Sequence, residues 1–162
     1  MSYLDIINKK IFTAENIQRL LAYWRFKNRT IVFTNGCFDI IHLGHISYLA
    51  QAADLGNELI IGLNSDNSVK RLKGTTRPLN DQHTRQIILA SLSFVSAVIV
   101  FDDDTPANLI KFLKPDISVK GADYEPENIA GYDFVTSYGG KVVCIDLVEG
   151  YSSSNIIDKI RE

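Results

Sequence analysis

The chain is poor in the features that mark several common protein classes. It has two cysteines in 162 residues, Cys37 and Cys144, far apart and without metal-ligand spacing. That excludes a disulfide framework, and each thiol, set in an apolar run, is expected to be a buried free cysteine. No apolar stretch approaches the roughly 18 residues needed to span a membrane. The N-terminal MSYLDIINKK also lacks the apolar core of a signal peptide. A cytoplasmic protein with no membrane partner is expected. Net charge is only −2, from 17 basic and 19 acidic side chains. There is thus no broad basic face for nucleic acid, and any phosphate site must be local. Two phosphate signatures are missing: no G-x-x-x-x-G-K-[ST] occurs, and no G-x-G-x-x-G follows the first strand. Their absence excludes a P-loop protein and argues against a dinucleotide dehydrogenase. Repeats, low-complexity tracts and linkers are absent too. With 46% hydrophobic and 22% charged residues, the chain suits a single globular domain over residues 1–162.

What is present is an alternation of apolar strands and helices. Thr13 caps a helix predicted over 13–27, with Ile17, Leu20, Leu21 and Trp24 on one face. Short β-branched runs predict strands at 30–35, 58–64, 97–101, 116–120 and 141–146. Helices fall between them at 43–55 (stopped by Gly56), at 65–72, and from Asp81 to about 93 with Ile87, Ile88 and Leu92 inward. Another opens at Thr105-Pro106 and ends before Pro115, a further one covers 129–138, and a last one is entered from Ser152 to Ser154. Residues 74–80, GTTRPLN, are a loop. The pattern predicts a Rossmann-like, doubly wound α/β fold: a five-stranded parallel sheet with helices on both faces. Ligands of such sheets bind beyond the carboxyl ends of the strands, at the topological switch point.

The segment after the first predicted strand is Asn35-Gly36-Cys37-Phe38-Asp39, and His42-Leu43-Gly44-His45 then opens a helix. Gly36 lets backbone approach a ligand, and Gly44 leaves room for a phosphate beside free helix N–H groups. Positions 42 and 45 share a helix face, so both imidazoles can donate to one triphosphate. The plain alternative is a cap and a packed core residue; a zinc site would lack a third ligand with clear spacing. Lys70, Arg71, Lys73 and Arg77 place four cations in eight positions around a glycine-containing loop. Against a merely solvated stretch, a lid closing over phosphates is favoured, with Lys73 and Arg77 as its working cations. Arg85 has two readings, an ion pair with a carboxylate or a contact with nucleotide. After a later strand, Gly121 of Lys120-Gly121-Ala122-Asp123 permits close approach, and Asp123 offers a carboxylate to hydroxyls or base. Ser152, Ser153 and Ser154 cap the last helix and, with its free N–H groups, form a second anion cradle. Asp102–Asp104 reads as a solvated loop and helix cap rather than a metal cluster. Asp39 is the better active-site carboxylate, orienting an acceptor or a histidine.

TNGCFDIIHLGHISYL resembles the signature of the cytidylyltransferase-like nucleotidyltransferases, an α/β superfamily with an H-x-G-H phosphate motif. The likeness continues in NSD (64–66), RLKGTTRPLN (71–80), Arg85, DDDTP (102–106), KPDISVKGADY (114–124), IAG (129–131) and EGYSSSNII (149–157). In that order these resemble the adenylyltransferase family of ADP-heptose synthesis, over roughly residues 12–160. The resemblance implies a nucleotidyltransferase fold and transfer of AMP from ATP to a sugar 1-phosphate, D-glycero-β-D-manno-heptose 1-phosphate, with release of pyrophosphate. It also implies Mg²⁺ held mainly by phosphates and water, and a product for lipopolysaccharide or another surface glycan. It makes His42, His45 and Lys73 the catalytic residues. Asn35, Gly36, Cys37, Phe38, Gly44, Arg77, Arg85, Lys120, Gly121, Asp123, Ser152, Ser153 and Ser154 would surround the nucleotide, and Asp39 would face the acceptor. Ala122 departs from the family's usual VKGGDY, and Tyr151 stands at a variable position with no role. Many relatives carry this activity behind a sugar kinase domain; this chain resembles the stand-alone form, and the likeness admits a homodimer. A glycerol-3-phosphate cytidylyltransferase would share the fold, but RLKG-x-x-RP and VKGxDY argue against it. An aminoacyl-tRNA synthetase fragment would be longer and carry a Lys-Met-Ser-Lys-Ser segment. A receiver-like signalling module, the non-enzymatic reading, gives His42-x-x-His45 no purpose.

Overall fold

The computed structural model describes residues 2–122 and 126–161. The chain runs α1 (Tyr3–Asn8), β1 (Ile11–Phe12), α2 (Gln18–Phe26), β2 (Ile31–Gly36), α3 (Leu43–Ala53), β3 (Glu58–Asn64), α4 (Asp66–Lys73) and α5 (Gln82–Ser91). It continues with β4 (Ala97–Phe101), α6 (Ala107–Leu113), β5 (Ile117–Gly121), a 3₁₀ turn (Pro126–Asn128), α7 (Tyr132–Ser137), β6 (Lys141–Ile145) and α8 (Ser153–Arg161). All strand pairs are parallel, in the order β1-β4-β3-β2-β5-β6.

The sheet therefore has six strands where five are expected from the sequence. The extra one, β1, is two residues long, too short to show any period, and is made by pairing: Ile11 aligns with Val98 and Phe12 with Ile99. Val98 N–H donates to the Lys10 carbonyl at 2.8 Å just before it. Helix α2 begins at Gln18 rather than Thr13 because Thr13 and Asn16 close a separate turn. Thr13 N–H donates to Asn16 Oδ1 at 2.8 Å, and Asn16 N–H to Thr13 Oγ1 at 3.3 Å. Thr105 does not cap α6; Pro106 holds the N-cap position, with no side-chain cap bond. On α5 the buried face is Arg85, Leu89 and Ala90, while Ile87, Ile88 and Leu92 are half-buried. Both cysteines are free and half-buried rather than fully buried.

Side chains alternate across the strands with a period of two and build two cores. On one face Val32, Leu59, Ile61 and Val98 pack with Tyr48, Leu49 and Ala52 of α3 and with Leu89 and Ala90 of α5. On the other, Ile31, Phe33, Ile60 and Ile99 pack with Leu21 and Trp24 of α2, Leu109 and Ile110 of α6, and Val135 of α7. From the central β2, the chain adds β3 and β4 on one side and then returns to lay β5 and β6 on the other. The topological switch lies between β2 and β5, and the crevice at the carboxyl ends of these two strands is where the fold places a ligand.

Candidate functional site

A cleft of about 630 Å³ opens at that switch point, within the usual size of small-ligand sites. Lys120, near the end of β5, donates across it to Asn35 Oδ1 at 3.0 Å, so the two sides of the switch meet at a cation. Below, the buried Thr34 and Tyr48 hydroxyls hydrogen-bond at 2.7 Å and fix α3 to β2.

The chain then turns sharply. Phe38 takes a left-handed backbone, φ 46°, rare for a bulky residue. A Cβ on Gly36 would lie 2.9 Å from the Phe38 ring, so glycine is required for that ring to fold back. His42 caps α3, its Nδ1 accepting from His45 N–H at 3.4 Å. The two imidazoles stack with centroids 3.8 Å apart, and Phe38 meets His45 edge-on at 5.3 Å. Gly44 lines the cleft, and in the direction of a side chain it is tightly packed: a Cβ there would lie 3.1 Å from His42 Nδ1 and 3.2 Å from Tyr151 Cβ. Glycine at 44 thus serves the stacking of the histidines.

Burial holds the His45 imidazole down at about 4, with His42 and Lys73 pushing in the same direction. The Ile40 carbonyl pulls the other way, without closing a hydrogen bond to the buried Nδ1, which has no partner among the described residues. His42 is lowered as well, by burial. Both rings are therefore neutral near pH 7 in the free protein. An anion in the cleft would raise their proton affinity.

Lys73, at the end of α4, and Arg77 line the cleft with Lys120. Burial pushes the Cys37 thiol up, against the field of Lys73, Arg85, Lys120 and Arg77. Arg71 turns away to Asp104 at 2.9 Å and to Asp102, while Asp103 accepts from Asn108 at 3.0 Å. The acidic run is thus paired, and of the basic segment it is Lys73 and Arg77 that line the cleft.

Asp39 and Arg85 sit differently from the other candidates. The Asp39 carboxylate accepts from Arg77 Nε at 2.8 Å, Leu79 N–H at 2.8 Å and Asn80 N–H at 2.9 Å. Burial alone would raise its pKa, but these N–H groups and Arg77 outweigh it and hold the carboxyl below its usual value. Arg85 is fully buried behind the cleft and does not line it. It donates to the carbonyls of Asn80 (3.0 Å), Cys37 (2.6 Å) and Asn64 (2.9 Å), and to Asp66 at 2.7 Å. Of its two expected roles, the structure gives Arg85 the ion pair.

Ser152, Ser153 and Ser154 also line the cleft. Ser152 Oγ accepts from Asn155 N–H at 3.0 Å as a cap, and Ser153 Oγ donates to the Ile40 carbonyl at 3.1 Å, tying α8 to the histidine loop. Asn35, Gly36, Cys37, Phe38, Gly44 and Gly121 are also lining residues. Asp123 lies outside the described residues. Sequence reasoning missed Tyr151, whose ring lies 6.4 Å from that of His42, and the apolar patch of Ile129, Leu147 and Val148. Tyr151 had a signal in its position beside the serine cap; the apolar patch had none. Asn64, also lining the cleft, was marked by the strand-exit rule.

Among the described residues no cluster of His, Cys, Asp or Glu is arranged to hold a metal ion. The lining carboxylates, Asp39 and Asp104, are each paired with an arginine. These residues do not form a magnesium cage. No described helix is long and apolar enough to cross a membrane.

A cleft lined by cations, helix starts and apolar side chains, at the switch point of a parallel sheet, marks an α/β protein suited to an anionic ligand. Residues 33–159 match the family model described as Cytidylyltransferase-like, and the chain belongs to that family. It is similar to the bifunctional protein HldE of Syntrophotalea carbinolica, 52% identical over 153 residues, which are 94% of this chain and 31% of that protein. It is 53% identical to the bifunctional protein HldE of Campylobacter jejuni subsp. jejuni serotype O:2 over 154 residues, 95% of this chain and 32% of the relative. The chain spans about a third of the length of these curated relatives. Among solved structures it is similar to the lipopolysaccharide core biosynthesis protein from Thermoplasma volcanium GSS1. The TM-score is 0.62 with 28% identity, covering 75% of this chain and 99% of that one.

Proposed function

We propose that this protein is a sugar-phosphate adenylyltransferase, which joins AMP from ATP to D-glycero-β-D-manno-heptose 1-phosphate and releases pyrophosphate. The product would feed lipopolysaccharide or another surface glycan. The observation that carries this reading is the identity of about half to the HldE proteins over nearly the whole chain, supported by the cationic cleft. An oxygen of the sugar 1-phosphate attacks the α-phosphorus of ATP. The new O–Pα bond forms as the Pα–O bond to the β-phosphate breaks, and its electron pair leaves with pyrophosphate. The acceptor is a phosphate monoester already ionised near neutral pH, so no protein base is needed. Catalysis rests on alignment and on charge stabilisation. His42, His45 and Lys73 hold the triphosphate together with Lys120 and the serine-capped start of α8. Magnesium would be carried by the nucleotide's phosphates, not by carboxylates of this chain.

Pyrophosphate release, with ATP and CTP each crossed against both anomers of the heptose 1-phosphate and against glycerol 3-phosphate, tests the reading. Release with ATP and the β-anomer alone is expected. Release with CTP and glycerol 3-phosphate instead would overturn the substrate, and release with none would overturn the reaction. His45→Ala should lower kcat by about 10²–10³-fold; near-full turnover would remove His45 from the mechanism.

A further inference from the structure

We propose that Asp39 touches no substrate and is a positioning residue, which takes up Arg77 Nε and so sets the two Nη groups of Arg77 as a fixed fork for a phosphate group. The inference rests on the phosphate-transfer reading above.

Asp39 is 2% exposed. A carboxylate offers about four lone-pair sites. Here Arg77 Nε, Asn80 N–H and a Leu79 N–H shared between both oxygens make four contacts to them, all between 2.8 and 2.9 Å. With three N–H donors on it and its side chain 1% exposed, the carboxylate presents no open face to a sugar hydroxyl or an imidazole. The clamp is reciprocal, because Asn80 Nδ2 donates to the Asp39 carbonyl at 2.8 Å. It is also closed: Asn80's own carbonyl accepts from Arg85, which donates in turn to the Cys37 carbonyl. Segments 37–39 and 77–80 are thereby joined in one ring of hydrogen bonds. The segment expected as a lid over 70–77 is thus held at its far end by Asp39, and at Gly74 by bonds to the Lys70 carbonyl and from Arg77 N–H.

The Arg77 side chain is 13% exposed and lines the cleft. Its hydrogen bonds among the described residues all pass through Nε. A guanidinium recognises phosphate through paired N–H groups, and one already held in place loses less freedom on binding. The fork could receive a phosphate of the nucleotide or that of the acceptor.

Steady-state kinetics with each substrate varied in turn decide between these and test the inference. Arg77→Ala and Arg77→Lys should both raise one KM by about 10- to 100-fold, and the substrate affected names the phosphate. Lysine fails because a single ammonium, drawn to Asp39, cannot also reach the phosphate. Asp39→Ala should raise the same KM, and the double variant should be no worse than Arg77→Ala within about twofold. Wild-type kinetics for Arg77→Lys would mean that Arg77 merely neutralises Asp39, and would overturn the proposal. So would a further loss when Asp39→Ala is added to Arg77→Ala. If melting curves show that Asp39→Ala is unfolded, the Arg77→Lys comparison decides alone. Titration calorimetry with ATP and with inorganic phosphate repeats it without turnover. Should the wild type turn over nothing, weaker binding of either probe by Arg77→Lys would sustain the fork while the reaction fell; equal binding of both would end it.

Discussion

His45 shows how one residue's surroundings set its chemistry. Its imidazole titrates at about 4 in the folded chain against 6.5 when free. Between these values the unfolded chain holds the extra proton, so stability rises with pH across that window and is lost as pH falls from 6.5 towards 4. His42, lowered by burial, adds in the same sense. The contribution of Asp39 has the same sign, since its pKa is also lowered on folding, but a lower window. Its depressed carboxyl stabilises the fold above 3.8 and is lost only as pH drops below that. Urea unfolding between pH 7.5 and 4 should show the upper loss in the wild type and a flatter profile in His45→Gln; an unchanged slope would exclude His45 as its source. A second expectation concerns Gly44, where an added Cβ would sit 3.1 Å from His42 Nδ1. Gly44→Ala should unstack the histidines and cut kcat by about tenfold or more, with little change in melting temperature. The histidine pair was legible from its spacing of three at a helix start, though His42 reaches His45 as the extended N-cap and not from within the helix. The roles of Asp39 and Arg85 were not. Apart from Asn80, five residues before Arg85, their partners lie 19 to 48 residues away, and no local pattern says which carbonyls a buried arginine will find.

At the scale of elements, Arg85 fastens α5 to the ends of β2 and β3 and to the start of α4. Replacing it with methionine removes the charge and leaves the carbonyls of Cys37, Asn64 and Asn80 without their donor. A loss of about 3 kcal/mol or more is expected, seen by calorimetry as a melting temperature about 6–12 °C lower. A drop under about 2 °C would mean that water replaces the guanidinium. Arg85→Lys should recover only part of the loss, since one ammonium cannot serve four acceptors in a plane. Caps were the most legible feature at this scale: Asp81 Oδ1 accepts from Thr84 N–H at 2.7 Å, and Ser152 caps α8. Thr105 misled because the proline beside it took the N-cap position itself.

For the molecule as a whole, the parallel sheet and its two helical layers could be read from alternation alone, while the sixth strand could not. β1 exists only through β4, whose outer edge it covers, and Ile7 and Ile11 pack onto the core beside it. A chain beginning at residue 13 would bare the backbone groups of β4. It should self-associate in light scattering yet bind ATP with unchanged affinity, because none of the residues lining the cleft precedes Asn35. Loss of ATP binding by a monomeric truncation would refute that separation.

The crossing from β4 to β5 has one more consequence. A cut near Pro115, between α6 and β5, would divide the chain into two pieces, one ending with the β2–β3–β4 side and the other beginning with β5. Each piece carries half of the binding surface: the histidines, Lys73 and Arg77 on the first, Lys120 and the serines on the second. Reassembly of the two would be linked to occupancy, because a ligand that recognises only the joined pair adds its own binding free energy to their association. The seam that makes the cleft thus also makes the protein a candidate for a split reporter, in which the nucleotide itself draws the fragments together.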